Sequence, residues 1–592
     1  MFLRTVKAAG GKGVQHEYVR LVESYRDHGQ SKQRVVCNLG RKDLLAAHLD
    51  ALIRLLRGEP AARARVRVGQ VHATGAWDWG PVLVARTLWR ELGLEAILDR
   101  LGGRGPADGV ALADRALVLV ANRLCAPTSE HGLARWLETD FVCDRRGRRW
   151  VPVWRDDAER RASRLPRVRV AFRQLKQWYR TLDQLGARKA TVEHELYLQL
   201  RDLFSLNVDL VFYDLTSTYF EGQGPAPLAT HGKSRDGKPR NRQVLVGVVM
   251  VDGWPIAHHV FRGNQRDATT VPEVLEDLEQ RFGLRRLVFV GDRGMVTSAN
   301  LALLRARGQG YVVGLIRRRR EAVYRYIERA TGPWTECPSG ITARERAEPP
   351  TTRVQEVASD TTGVRIFVVQ SDERLAFEQA QRLKAMARVR TALEALERRV
   401  RRGKLKDAAK IGAAAARILG RFHGYRYYDW EFKDGRLRFF EHPVNLQREE
   451  AYEGKYVIQT EEPHLTAVEA VRIYKELSEV ERAFANLKDV IEMRPIYHQT
   501  EARVKAHIFV AALAFLLHRG LEKKLKVARL DLSSTEALQT LRTVRVVDFT
   551  LDGGQRKRTV TRGSERAARI LAALGITDLD PPSPLREPAT IT

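Results

Sequence analysis

Apolar and polar positions along this chain change period several times, and each change marks an element. Residues 2 to 40 alternate with period two in F-L-R-T-V-K-A, Y-V-R-L-V-E-S-Y-R and Q-R-V-V-C-N-L-G. Turn-forming G-G-K-G and D-H-G-Q separate the runs, which predicts a small antiparallel β meander. Helical periodicity follows around 42–57, 81–92, 110–124 and 166–204, broken by Gly and Pro. From 208 onward the runs turn short and apolar: V-D-L-V-F-Y-D-L-T-S-T-Y-F, Q-V-L-V-G-V-V-M-V-D and P-I-A-H-H-V-F. Asp252-Gly253 forms a tight hairpin turn between the last two. A helix over 271–282, the strand R-L-V-F-V-G-D-R-G, a helix over 297–307 and the strand G-Y-V-V-G-L-I come next.

Three antiparallel strands followed by helix, strand, helix, strand is the order of a ribonuclease-H-like core. The predicted fold class is α/β: that mixed sheet with flanking helices, interrupted by an inserted module, plus a mostly helical N-terminal region with the β meander. One helix stands out, from Thr466 to Ile491, with Thr466 and Glu469 placed as a capping box. Ile473, Leu477, Val480, Phe484, Leu487 and Ile491 recur at alternating four- and three-residue steps, a stripe made for a core. Beside it Tyr474, Glu481 and Lys488 share a second face, rising roughly 10 Å per step. A second apolar helix spans 502–525. The implied organisation is 1–40 meander, 41–204 helical and basic region for DNA, 205–316 first part of the core, 317–463 inserted module of mixed α/β type, 464–530 core helices, and 531–592 extension and tail.

Charge changes the picture. Lys+Arg 101 against Asp+Glu 72 gives a net +29, a field that favours polyanions. Cations cluster at Arg145–Arg149, Arg317–Arg320 and Arg398–Lys406, which together fit a phosphate track. The apolar run Ile508–Leu517 is too short to span a bilayer. The N-terminus lacks the apolar core of a signal peptide. Cys37, Cys125, Cys143 and Cys337 are scattered without metal-type spacing, as in a reduced, intracellular protein.

Candidate chemistry rests on carboxylates. Asp214 lies inside an apolar strand, where a charge is costly unless paired or bound to a cation. Asp292 ends the fourth core strand, and Glu481 sits on the helix face described above. Each alone also fits a bland role: local hydroxyls for Asp214, a turn for Asp292, solvent for Glu481. Together they converge in a ribonuclease-H-like sheet, whose first and fourth strands are neighbours under a later helix. Three oxygen donors without a Cys/His cluster favour hard cations, Mg²⁺ or Mn²⁺. Two such ions suit an in-line phosphodiester displacement. His258-His259 places its two side chains on opposite faces of a strand, a poor chelate. Trp254, Trp334 and Trp430 are candidates for base stacking or for packing.

These residues resemble a known family. V-F-Y-D-L-T-S-T-Y-F-E-G, G-D-R-G-M-V-T-S-A-N-L and Y-K-E-L-S-E-V-E-R-A-F-A-N-L-K are similar to the insertion-sequence DDE transposases with a Tyr-x2-Arg-x3-Glu-x6-Lys signature. The resemblance implies that Asp214, Asp292 and Glu481 form the catalytic and metal-binding triad, with two Mg²⁺ or Mn²⁺ ions. It implies that Tyr474 and Lys488 contact the transposon-end strand, with Arg482 and Arg293 as further DNA contacts. The signature Arg is replaced by Leu477, and Arg482 or Arg472 are its candidate stand-ins. Also implied are binding and cut-and-paste transfer of element ends, double-stranded DNA as partner, a homodimer on paired ends, no membrane, and a cytoplasmic, nucleoid-associated, prokaryotic-type location. The alternatives are a non-catalytic DNA-binding descendant and a nuclease that does not join ends. The chain from Asp292 to Glu481 far exceeds the roughly 40–60 residues the bare fold needs, so about 130 residues form an inserted module.

Overall fold

The structure is a computed structural model that describes residues 2–9, 15–27, 30–42, 71–102, 109–153, 174–204, 210–295, 297–315, 321–338, 351–551 and 556–582. Most of the helix predicted over 42–57, the start of the one over 166–204, and Arg317–Arg320 lie outside the described residues. Strands β1 (Phe2–Ala9), β2 (Gln15–Asp27) and β3 (Gln30–Arg41) form an antiparallel sheet in chain order. Phe2 pairs with Val22 and Ala9 with Gln15; Val19 and Val22 are buried, with register shifts in the β2–β3 ladder at Val19/Arg20 and Leu21/Val22 between them. The meander belongs to one compact unit, and Ala76–Val547 belongs to a second.

The second unit is built on a nine-stranded sheet. Its core strands are β4 (Leu210–Tyr219), β5 (Gln243–Val251), β6 (Trp254–Arg262), β7 (Val288–Gly291) and β8 (Gly310–Gly314). They lie in the order β6-β5-β4-β7-β8. β5 runs antiparallel to β4 and β6, whereas β7 and β8 run parallel to β4. That is the ribonuclease-H-like arrangement. Every residue of β5 is buried, as a continuous apolar run in a central strand requires. At the β5–β6 hairpin Asp252 and Gly253 take φ of 48° and 71°, the paired positive values that a tight twisted turn demands.

The segment inserted before the last core helices widens this same sheet. β9 (Thr335–Cys337), β10 (Thr352–Val357), β11 (Arg365–Ser371) and a later strand, Lys455–Thr460, continue it beyond β8. The later strand pairs antiparallel with β8, Ile458 opposite Gly314. Between β11 and that strand stands a helical hairpin (Asp372–Arg401 and Ala408–Arg421) with a two-stranded ribbon. Small apolar clusters hold it together, one around Val389, Leu393 and Leu419, another around Leu396, Ile411 and Leu437.

Helices flank the sheet: α1 (Gly80–Glu91), α2 (Leu112–Cys125), α3 (Leu175–Phe204), α4 (Val271–Phe282) and α5 (Ser298–Ala306). Later in the chain, and numbered after the inserted hairpin's two helices (α6 and α7), come α8 (Ala467–Ala485) and α9 (Glu501–Val527). α9 is long and apolar enough to cross a membrane by composition, yet 83% of its apolar stretch is buried in the protein. It packs on α2, α3 and β6 as a core helix. α8 lies across β4, β7 and β8, and its stripe is the contact: Ile473, Leu477, Val480, Phe484, Leu487 and Ile491 are all buried.

Candidate active site

Strand register sets the first pair of acids. In the parallel β4–β7 ladder Tyr213 stands opposite Gly291, so Asp214 and Asp292, the next residue on each chain, leave the ladder at the same level. Asp214 is half-buried, and its Oδ1 accepts the Leu215 N–H at 2.7 Å. Burial pushes its carboxyl up to about 7, aided by the negative charges of Asp292 and Glu481 and opposed by the Leu215 hydrogen bond and Arg235. Asp214 thus feels both other acids, and the structure brings the three together. Asp292 and Glu481 are exposed. The side chains of Arg293 and Arg482 lie outside the described residues.

Helix α8 starts as anticipated. Glu469 accepts the Thr466 N–H at 2.9 Å and donates its own N–H to Thr466 Oγ1 at 3.2 Å, a complete capping box. Its end differs. After Ala485 the chain makes a π-helical turn, Asn486–Val490, and Lys488 lies within it. Such a turn inserts a residue into the helical ladder, which shifts Lys488 from the face that an unbroken 3.6-residue period assigns it. Lys488 Nζ donates to Asp236 Oδ1 at 2.8 Å, and Arg494 bridges to the same oxygen. Burial holds the Lys488 ammonium pKa below its usual range. Tyr474 turns toward the sheet: a Cβ added at Gly314 would stand 2.2 Å from its hydroxyl, and its ring lies 5.7 Å from that of Tyr456. Leu477 is a core residue, and Arg472 is exposed on the opposite side of the helix stripe.

Other candidates find ordinary partners. His258 Nδ1 lies 2.7 Å from Glu193 Oε1, and His259 Nε2 lies 3.3 Å from Asp277 Oδ2. Trp254 is buried, and Trp334 and Trp430 pack against the apolar clusters of the inserted segment. In the basic run at 145–149 the charges are largely matched within the fold. Arg145 pairs with Asp114 and Asp99, Arg148 pairs with Asp144, and Arg149 lies over the Trp77 ring. The run at 398–406 is open to solvent apart from Val400 and Leu405.

Among the described residues one His/Glu group could hold a metal: Glu130, His498 and His507, with ligand atoms within 4.8 Å of one another. Arg123 already lies against it, its Nη2 3.3 Å from His507 Nδ1, while His507 Nε2 meets the Met493 carbonyl at 3.0 Å. Burial and the Arg123 charge hold His507 down to about 3, hence neutral. The arrangement is a satisfied polar network that ties α2 and α9 to the segment after the π turn. Sequence reasoning did not single out Arg123, Asp236 or Arg235. An acid in the otherwise basic S-R-D-G-K loop was the available signal for Asp236.

A sheet in this order, with one acid within its first core strand, a second just after its fourth and a third on a helix laid across them, defines a ribonuclease-H-like protein with an acidic centre. Residues 210–517, just over half of the chain, match the family model described as the transposase DDE domain. Residues 3–65 match that of the IS1634 family transposase, N-terminal domain. The chain therefore belongs to the DDE transposases, in their insertion-sequence branch. No curated protein matches it. Among solved structures, a piggyBac transposase synaptic complex with hairpin DNA aligns at 8% identity, over 78% of this chain and 79% of that one, with a TM-score of 0.33.

Proposed function

We propose that this transposase binds the inverted ends of its element as a dimer, cuts the DNA there and joins the ends to a target. Asp214, Asp292 and Glu481 are the residues that carry out the chemistry. The observation behind this reading is geometric: the β4–β7 register sets Asp214 and Asp292 at one level, and α8, which carries Glu481, packs across those strands. An acidic centre built this way is short of positive charge, and an all-oxygen donor set of carboxylates suits Mg²⁺ or Mn²⁺. When bound, such ions supply Lewis-acid activation of the attacking oxygen and stabilise the leaving one. The chain's own contribution is placement. β4 and β7 fix two carboxylates by register, α8 brings the third, and the Lys488–Asp236 pair fixes the helix end beside them.

The test is Glu481→Gln on a duplex carrying the element's terminal repeat. End binding persists and strand cleavage in Mg²⁺ falls by more than about a thousandfold, as for loss of a transition-state group. Cleavage at the normal rate would sink the assignment. Absence of any joined product in the unaltered protein would reduce the function to a nuclease.

A further inference from the structure

Leu477 is buried in the core stripe and supplies no arginine at its own position, while a guanidinium reaches the acids from a loop. The loop between β4 and β5 turns back to the acids at Arg235. The Arg235 backbone N–H donates to Ser217 Oγ at 2.9 Å, and Ser217 is a fully buried residue of β4, three beyond Asp214. Its Nη2 donates to Asp267 Oδ2 at 2.7 Å. Asp267 in turn lies beside the turn after Asp292, since a Cβ added at Gly294 would stand 3.4 Å from that same Oδ2. Arg235 is thus fixed at the backbone to the strand of Asp214 and at the guanidinium toward the turn of Asp292. Its charge acts on both Asp214 and Lys488. The side chain remains 28% exposed, so it is open to a ligand.

We propose that Arg235 is the phosphate-binding cation of this centre and grips the scissile phosphate of the element end. The proposal rests on the reading of Asp214, Asp292 and Glu481 as the catalytic acids. A guanidinium carries five donors in a planar fork, and the Asp267 contact engages Nη2, which leaves donors for a phosphate. Ser217 and Asp267 are the positioning residues: one fixes where the loop returns, the other how the fork is aimed. The next residue, Asp236, anchors Lys488, so this single loop sets both cations of the centre. Lysine at 235 would keep the charge and lose the fork.

The experiment compares two terminal-repeat duplexes, one ordinary and one with a neutral methylphosphonate at the scissile position, bound in Ca²⁺ so that binding alone is read. In the unaltered protein the neutral linkage weakens binding about tenfold, the worth of a charge-assisted contact. In Arg235→Gln the penalty shrinks below about twofold, and in Arg235→Lys it falls between. Because each penalty is a ratio within one variant, loss of folded protein cancels. An equal penalty in Arg235→Gln and the unaltered protein overturns the proposal. The parent reading is checked separately by Asp214→Asn in Mg²⁺. If that variant still cleaves, the acidic-centre reading fails; if it is inert while Arg235→Gln shows the full penalty, only the arginine assignment fails.

Discussion

Lys488 donates from Nζ to Oδ1 of Asp236 at 2.8 Å, joining the end of the helix that carries Glu481 to the loop that comes after Asp214. The pair is nearly dry, with side-chain exposures of 10% for Lys488 and 2% for Asp236. Removing one partner of a buried pair costs about 3–5 kcal/mol, because the other charge is stranded. Asp236→Asn strands Lys488 and leaves Arg494 with only its Asp489 partner, whereas Lys488→Met leaves Asp236 its Arg494 partner. We expect Asp236→Asn to lower the melting temperature by several degrees and slow cleavage about tenfold or more. Lys488→Met should slow cleavage with a smaller thermal loss. Thermal melts and single-turnover cleavage check this, and identical melting of Asp236→Asn and the unaltered protein would refute it.

The Asp214 carboxyl makes stability depend on pH in a defined direction. Its folded value is pushed up to about 7 from an ordinary 3.8. Between those values the folded state holds a proton that the unfolded chain has lost, so stability falls as pH rises through the window, and the whole deficit is present above pH 7. Asp214→Asn removes the deficit. Without divalent metal the variant should melt a few degrees higher than the unaltered protein at pH 8, with the gain vanishing toward pH 4. A gain that grew as pH fell would show that the sign is wrong.

Divalent metal should reverse that penalty. A ligand that binds only the folded state stabilises it by about 2.7 kcal/mol at a hundred times its Kd. Mg²⁺ or Mn²⁺ should raise the melting temperature at pH 8, and a chelator should undo the rise. Asp214→Asn and Glu481→Gln should each lose most of the shift, while Glu130→Gln, in the network capped by Arg123, should keep it. Calorimetric scans with and without metal check this; an undiminished shift in Asp214→Asn would place the metal elsewhere.

Much of the centre was legible because its signals are local. Strand period and turn residues placed β4 to β8, Asp252-Gly253 marked its hairpin, and Thr466 with Glu469 marked the start of α8. The features that escaped are set by distant partners. Nothing near Lys488 announces a π turn, because the acid that holds it lies on a loop far back in the chain. Likewise the strands from Thr335 to Ser371 read as part of an added module. Their place in the core sheet is fixed by pairing with Lys455–Thr460, which itself pairs with β8. The basic run at 145–149 read as a phosphate track because Asp99 and Asp114, which pair with Arg145, lie on earlier elements.

Leu477 is where the arginine expected from the sequence resemblance and this fold conflict, and the fold sets the outcome. Its side chain is 5% exposed within the stripe that seats α8 on the sheet, between Ile473 and Val480. Leu477→Arg restores the signature letter but buries a guanidinium that can be accommodated only by dislodging the helix. The expected cost exceeds about 3 kcal/mol, since a buried unpaired charge is among the most destabilising of substitutions. Leu477→Met keeps volume and apolarity and should cost less than about 1.5 kcal/mol. The same geometry predicts that Leu477→Arg cannot rescue Arg235→Gln, because the two positions face different surroundings. Melting temperatures of the single variants and cleavage by the double variant test this together: a stable Leu477→Arg protein that restored cleavage would mean that residue 477 reaches the DNA after all.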